Sequence, residues 1–234
     1  LRNEAAGFSP KAAYIFRKQL EEADAIVVNR LDEITQPDLV ELHRLLAEQF
    51  PGAPVLAISA KSGQSFESLV ELLNQDGAFG RKILDIDYDI YAEGEAELGW
   101  LNSSIHVEAD APFELDALLV EIVNGLAASL RNLGGEVAHL KVIGLDDGAF
   151  GVANLVSNIT KSELSLASGS KVREADVIVN ARVALDPTVL ETEVRRVVAE
   201  ACREWEIRPT FRQSQSLRPG RPTPTHRYAA SASV

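Results

Sequence analysis

Apolar residues recur along the chain in two different patterns, and the first pattern covers residues 9–74. In that part, helical spacing alternates with two short continuous apolar runs, at 25–28 and 55–58. Such runs predict strands buried on both faces, as in a parallel sheet. Helices are predicted around them, at 10–22, 36–49 and 65–74. The resulting order of helix, strand, helix, strand, helix predicts an α/β fold with a doubly wound parallel sheet.

A different pattern begins after residue 103. The order of elements predicts a small α+β domain, with helices on one face of an antiparallel sheet. The Asp147-Gly148 pair predicts a tight hairpin between two of its strands. Its predicted elements are strands at 104–109, 137–145, 150–157 and 175–184, and helices at 112–133 and from Pro187 onward.

The first pattern is incomplete as a sheet. Two parallel strands do not make an independent sheet, so we expect part of this domain to lie upstream of residue 1. The chain also contains no methionine. Either it is an internal piece of a longer protein, or residues within it are missing from the sequence.

Composition narrows the classes of protein that fit. The net charge is −12 and the sequence pI is about 4.8, which argues against broad nucleic-acid binding. No apolar run is long enough to cross a bilayer. The single cysteine, Cys202, excludes an internal disulfide and fits a cytoplasmic setting. We expect it to be a buried structural thiol, and we assign no metal ligand to it or to the scattered histidines.

Two charged segments each allow two interpretations. Residues 207–234 carry five arginines and no acidic residue, which predicts an extended Pro/Arg-rich tail. This tail either docks on the acidic body or is disordered, or it engages an acidic client or RNA. Residues 81–102 form an acidic connector. If residues 84–91 are extended, alternating carboxylates line one face. One interpretation of that face is a transient site for a cation or a partner, and the other is a solvated edge.

The candidate chemistry lies directly after the two predicted strands. Asn29-Arg30-Leu31-Asp32 follows the first, and Ser59-Ala60-Lys61 follows the second. In an open parallel sheet, ligands bind at the carboxyl ends of the strands. A carboxylate at Asp32 can accept two hydrogen bonds from the N1–H and exocyclic amine of guanine, a donor pair that adenine lacks. The other reading is structural: Asn29, Asp32 and Ser59 merely start the helices that follow.

These residues resemble the motifs of P-loop GTPases. Asn29-Arg30-Leu31-Asp32 is similar to their N-K-x-D base-recognition motif, with Arg30 in place of the usual lysine, and Ser59-Ala60-Lys61 is similar to their S-A-K loop. The resemblance implies a guanine site formed by Asn29, Arg30, Asp32, Ser59, Ala60 and Lys61. It implies no catalytic residue here, because no G-x-x-x-x-G-K-[ST] phosphate loop occurs in the 234 residues.

The order of domains resembles the CobW/HypB/UreG group, and within it the CobW-like branch. That implies a partial GTPase domain at 1–80, the connector at 81–102, an α+β domain at 103–206 and the tail at 207–234. It implies a full-length GTP hydrolase that binds GTP or GDP with magnesium and delivers an unidentified metal or metal cofactor to a client protein through its second domain. The 234 residues alone are expected to be inactive. The alternative is a non-enzymatic protein-interaction module with a vestigial nucleotide domain.

Overall fold

The computed structural model of the chain describes residues 10–77, 79–80, 87–155 and 162–221. These residues fall into two compact units. One lies within the chain up to Gly94, together with Arg221, and the other spans Glu95–Gly220. Ser9, which precedes the first predicted helix, lies outside the described residues. So do the last residues of the strand predicted at 150–157 and of the predicted tail.

The first unit contains the predicted alternation of helices and strands. Two three-residue strands pair in parallel, with Ile26 opposite Val55 and Val28 opposite Ala57. A doubly wound parallel sheet is predicted, and within the described residues only this parallel pair is present. The elements are α1 (Pro10–Glu22), β1 (Ile26–Val28), α2 (Gln36–Gln49), β2 (Val55–Ala57) and α3 (Phe66–Leu73), followed by α4 (Tyr88–Glu95).

A small core holds the parallel pair against α2. Ile26 and Val28 are buried with Leu46 and Phe50, whereas Val27 between them is 39% exposed. The expectation that the first strand is buried on both faces is therefore wrong for the described residues, because the core lies only on the side of Ile26 and Val28. Thr35 caps the start of α2, since its hydroxyl accepts a hydrogen bond from the Asp38 amide at 3.3 Å.

The connector differs from the extended segment considered from the sequence. Residues 88–95 form α4, so their carboxylates do not alternate along a strand. The Asp87 carboxylate accepts hydrogen bonds from the amides of Asp89 and Ile90, as a residue preceding a helix does. Two of the acidic residues form ion pairs, Asp89 with Arg221 and Glu93 with Lys11. Asp85 lies outside the described residues.

The second unit is a six-stranded sheet with two long helices. The strand order is β6-β5-β4-β7-β3-β8, and every neighbouring pair is antiparallel. The elements are β3 (Gly99–Glu114), α5 (Leu115–Asn132), β4 (Val137–Asp146), β5 (Ala149–Leu155), β6 (Glu163–Leu166), β7 (Lys171–Val183), α6 (Pro187–Glu204) and β8 (Arg208–Leu217).

Both helices pack on one face of this sheet, as predicted. Alternate residues of β7, from Ala175 to Val183, are buried against the apolar sides of α5 and α6. Leu118, Ile122 and Val198 on the helices are fully buried in the same core. The opposite face, which we call the open face, carries the other alternation of side chains, and most of these are polar and partly exposed.

Several elements of this unit differ from the predictions. The helix predicted from Pro112 begins at Leu115, because β3 continues past a bulge so that Phe113 pairs with Val172. The long β7 begins at Lys171 instead of 175. The four-residue β6 was not predicted, since its sequence Glu-Leu-Ser-Leu is too short to show a period.

The basic segment after Ile207 begins as a strand. Residues 208–217 form β8 along the edge of β3, so these residues are a strand of the sheet and not part of an extended tail. Docking on acidic groups is confirmed here. The Arg208 guanidinium lies 3.1 Å from Glu108 and 3.0 Å from Asp110, and Arg212 lies 3.0 Å from Asp176. Within the described part of the chain, no helix has the length and apolar character needed to span a membrane.

Candidate functional site

The loops that follow β1 and β2 lie side by side. The Ile58 amide donates to the Val28 carbonyl at 2.8 Å, and the Leu31 amide donates to the Ile58 carbonyl at 3.0 Å. These bonds continue the parallel pairing beyond the last strand residues. They bring the loop that carries Asn29 to Asp32 against the loop that carries Ser59 to Lys61.

The Asn29 side chain joins the two loops. Its Oδ1 accepts a hydrogen bond from the Ala60 amide at 3.0 Å and another from the Arg30 amide at 2.8 Å. Its amide oxygen is thus engaged with backbone donors on both loops. From the sequence, Asn29 is expected to contact the base directly, and this link between the loops is not predicted.

Arg30 occupies a left-handed backbone conformation, with φ of 66°. That conformation is uncommon for residues other than glycine and marks a sharp turn directly after Asn29. The Arg30 carbonyl accepts a hydrogen bond from the Glu33 amide at 2.9 Å, and its guanidinium forms an ion pair with the Glu33 carboxylate. The Arg30 side chain is exposed and lies along its own turn.

Ser59 is the buried centre of the site, with none of its surface exposed. Its hydroxyl accepts a hydrogen bond from the Ser62 amide at 3.1 Å and is also hydrogen-bonded to the Asp32 carboxylate. The Ser59 backbone closes a turn through bonds to Gly63 and Gln64, at 2.9 and 3.0 Å. Gly63 has φ of 77°, which explains a glycine at this position.

Asp32 presents an ionised carboxylate at the surface of the site. The hydrogen bond from Ser59 lowers the pKa of Asp32 below its ordinary value, and this outweighs the opposing effect of desolvation. The positive charges of Lys61 and Arg30 lower that pKa further. Asp32 and Lys61 are both exposed, so the carboxylate can accept hydrogen bonds from a ligand with paired N–H donors.

The structure thus brings all six predicted residues into two adjoining loops. It adds Ser62, Gly63 and Gln64, which shape the second loop around Ser59 through backbone bonds. The sequence signal for them was the Ser-Gly pair directly after Lys61, which predicts a turn.

No metal site accompanies these loops. Among the described residues, no three His, Cys, Asp or Glu side chains lie together in a group that could hold a metal ion. Cys202 is fully buried, as expected, and burial raises the pKa of its thiol to about 12. His226 lies outside the described residues.

Comparisons with known proteins add little to this geometry. No protein-family model matches the sequence, and no curated protein matches it. Two solved structures are similar to the chain. They are the Zn(II)-bound YjiA GTPase from E. coli and a Zn(II)-bound triple mutant of YjiA GTPase.

The two structural matches are distant. Each is 17% identical and has a TM-score of 0.26, covering 80% of this chain and 55% of the other. The chain therefore spans about half the length of these GTPases. At this TM-score the likeness says nothing about the site.

Proposed function

We propose that the loops after β1 and β2 recognise the base of a guanine nucleotide. The observation that carries the proposal is the Asp32 carboxylate, exposed, ionised and held by the buried Ser59 hydroxyl. Guanine offers N1–H and a 2-amino group side by side, and one carboxylate accepts both. Adenine has no such donor pair, so the same carboxylate selects against it.

The other predicted residues have distinct roles in this proposal. Asn29 is a positioning residue, because its oxygen holds the Ala60 amide and fixes the second loop against the first. A backbone N–H of that loop donates to the guanine O6, and the Lys61 stem packs over the base. Arg30, which is paired with Glu33, contributes positive charge near Asp32.

The wider function we propose is that of a CobW-like P-loop GTPase. The parallel pair would then belong to a larger doubly wound sheet, in a cytoplasmic protein that binds GTP or GDP with magnesium. GTP binding and hydrolysis would drive delivery of a metal or metal cofactor to a client protein. The 234 residues contain no phosphate loop, and the described residues offer no metal-ligand group. We therefore assign them base recognition, with no hydrolytic or magnesium-dependent step.

One observation favours the alternative of a protein-interaction module without enzymatic activity. Most of the buried apolar core belongs to the second unit, and that unit leaves one face of a six-stranded sheet open. The core of the first unit is much smaller. In this alternative the second unit binds a partner and the first has lost nucleotide binding.

Binding of GMP and AMP to the 234-residue chain distinguishes the two functions. Base contacts alone give about millimolar affinity, because two hydrogen bonds to a charged group contribute about 4 kcal/mol. Amide NMR titration detects such binding. We expect GMP to shift the signals of Ala60 and Lys61 and AMP to leave them unchanged.

The Asp76→Asn variant is the matched control. It removes the same charge from an exposed position in the same unit, and Asp76 makes no hydrogen bond or ion pair within the described structure. This variant should bind GMP as the parent chain does, whereas Asp32→Ala should not. Equal responses to GMP and AMP, or none to either, would contradict base recognition.

A further inference from the structure

The open face carries a group of basic side chains at one end. In the register of the sheet, Arg182 of β7 lies directly between His139 of β4 and Trp100 of β3. Its guanidinium stacks on the Trp100 ring, 4.0 Å from the centroid. Lys141, two residues after His139, lies on the same face. We call His139, Lys141 and Arg182 the basic cluster.

Among the described residues, no carboxylate forms a hydrogen bond or an ion pair with any of these three groups. Burial lowers the pKa of His139, and the positive charges of Lys141 and Arg182 lower it further. Neither Lys141 nor Arg182 forms an ion pair within the described part of the chain. Some other exposed arginines of the unit are paired, such as Arg196 with Glu193 and Glu200. Like charges that lie side by side without a carboxylate repel one another, and an anionic ligand reduces this repulsion.

Hydrogen-bonding side chains extend from the basic cluster across the face. Lys141 lies between Asn154 and Asn180 in the register, and Asn102 lies beyond Asn180. The Asn180 amide donates to the Asn102 side-chain oxygen. This row spans four neighbouring strands, with an amide side chain on three of them and the Lys141 ammonium on the fourth, a length suited to an extended ligand.

Apolar side chains lie on the other side of this row. Ile143 is paired with Val152 on one side and Ile178 on the other, and Leu145 is opposite Phe150. Leu145 and Phe150 are 37% and 45% exposed. A basic cluster, an amide row and an apolar patch thus follow one another along a single uncovered sheet face.

We propose that the open face binds an acidic segment of a partner protein, with apolar residues that reach the patch around Ile143. The acidic side chains of the partner contact the basic cluster. The positive charge of this cluster is complementary to them, although the net charge of the whole chain is −12. This net charge also disfavours a nucleic acid, and a small anion would not use the amide row and the patch. This proposal rests on the proposed function for the existence of a client, and it adds the surface of the chain that binds that client and the chemistry that the client presents.

Binding of defined peptides to the 234-residue chain tests this proposal. The probes are a peptide of about twelve residues made of glutamate and leucine, a matching lysine and leucine peptide, a dT oligonucleotide of similar length, and inorganic phosphate. We expect the acidic peptide alone to bind and to shift the NMR signals of Trp100, Asn180 and Ile143. Its carboxylates should also raise the pKa of His139 in an NMR titration, because they oppose Lys141 and Arg182.

Matched variants then locate the binding surface. Lys141→Gln and Arg182→Gln should each weaken the acidic peptide about fivefold, the effect of one exposed charge pair. Arg203→Gln is the control, because Arg203 is an exposed arginine of α6, outside the open face. Equal losses for all three variants would show only a general charge effect and overturn the proposal. So would no binding of the acidic peptide, or tighter binding of dT or of phosphate.

The two proposals fail independently. Asp32→Ala should abolish GMP binding and leave peptide binding unchanged, whereas Lys141→Gln should weaken peptide binding about fivefold and leave GMP binding unchanged. Loss of the GMP response in a chain that still binds the acidic peptide would remove the nucleotide function and keep the docking surface. Retained GMP binding without peptide binding would remove the docking surface alone.

Discussion

The side-chain oxygen of Asn29 accepts a hydrogen bond from the Ala60 amide at 3.0 Å, across 31 residues of chain. This contact connects the loops that follow the two parallel strands. The position of Asp32 relative to Ser59 therefore depends on the conformations of both loops. Substitutions at Asn29 therefore test the site without touching the carboxylate that we propose reads the base.

We predict that Asn29→Ala loosens the second loop. The change removes the acceptor for both the Ala60 and Arg30 amides, at a cost of about 1–2 kcal/mol in the free energy of unfolding. Hydrogen exchange at Ala60 should accelerate, and GMP affinity should fall. Asn74→Ala is the control, since Asn74 is exposed and its side chain makes no hydrogen bond in the described structure. Unchanged exchange at Ala60 would contradict the role given to Asn29.

The loop before β7 depends on the carboxylate of Asp116. It accepts hydrogen bonds from the Ser168 and Gly169 amides at 2.9 and 2.8 Å. Burial by itself would raise the pKa of Asp116, but these bonds and the Ser168 hydroxyl lower it below its ordinary 3.8. A depressed folded-state pKa stabilises the protein above the unfolded pKa, and this contribution is lost as the pH falls through the folded value.

Asp116→Asn should therefore lower stability at neutral pH, by about 1–3 kcal/mol. The difference from the parent chain should shrink as the pH falls below the ordinary value of 3.8 and through the lower folded-state pKa of Asp116, where the folded parent loses the ionised form. Urea unfolding at a series of pH values measures it. A difference that stays constant down to acid pH would show that ionisation of Asp116 contributes nothing.

Close packing of α5 on the sheet requires glycine at 144. A Cβ on Gly144 would lie 2.8 Å from Cδ1 of the fully buried Leu115 and 3.1 Å from Cδ2 of Leu119. We predict that Gly144→Ala destabilises the chain by about 1–3 kcal/mol through overpacking. Gly220→Ala is the control, because nothing lies within 4 Å of its Cβ position. Equal thermal stability of the two variants would contradict this packing.

Cys202 should be inert in the folded protein. Its side chain is fully buried in α6, and burial raises the pKa of the thiol to about 12, so almost no thiolate forms at neutral pH. A thiol reagent such as DTNB should react only after unfolding in urea. Rapid reaction of the native chain would show that this part of the core opens readily.

The predictable parts of the fold were those with local signals. Thr35 and Asp186 precede helices with a side chain that caps the first turn, and Asp147-Gly148 marks the hairpin. The alternation around Val177 identifies β7, which lies between β4 and β3 in the sheet. In each case a few neighbouring residues determine the structure, so a sequence pattern is enough to find it.

The missed parts depend on contacts between distant segments. β8 has few apolar residues and two prolines nearby, and it becomes a strand because β3 offers an edge and Glu108 pairs with Arg208. At the site, the motif residues were predicted, but the Asn29–Ala60 link was not. It depends on how two loops meet in space, which spacing along the chain does not reveal.

The Asp32→Asn substitution tests the central claim most directly. The asparagine side chain presents an N–H where the carboxylate accepted, which suits the 2-carbonyl of xanthine in place of the 2-amino group of guanine. We predict that the variant binds GMP about tenfold more weakly than the parent chain does, and XMP about tenfold more tightly. Each tenfold change in affinity corresponds to about 1.4 kcal/mol of binding free energy. The measurement is an NMR titration of both nucleotides against the parent and variant chains. If the variant keeps the parent's preference for GMP, Asp32 does not read the base.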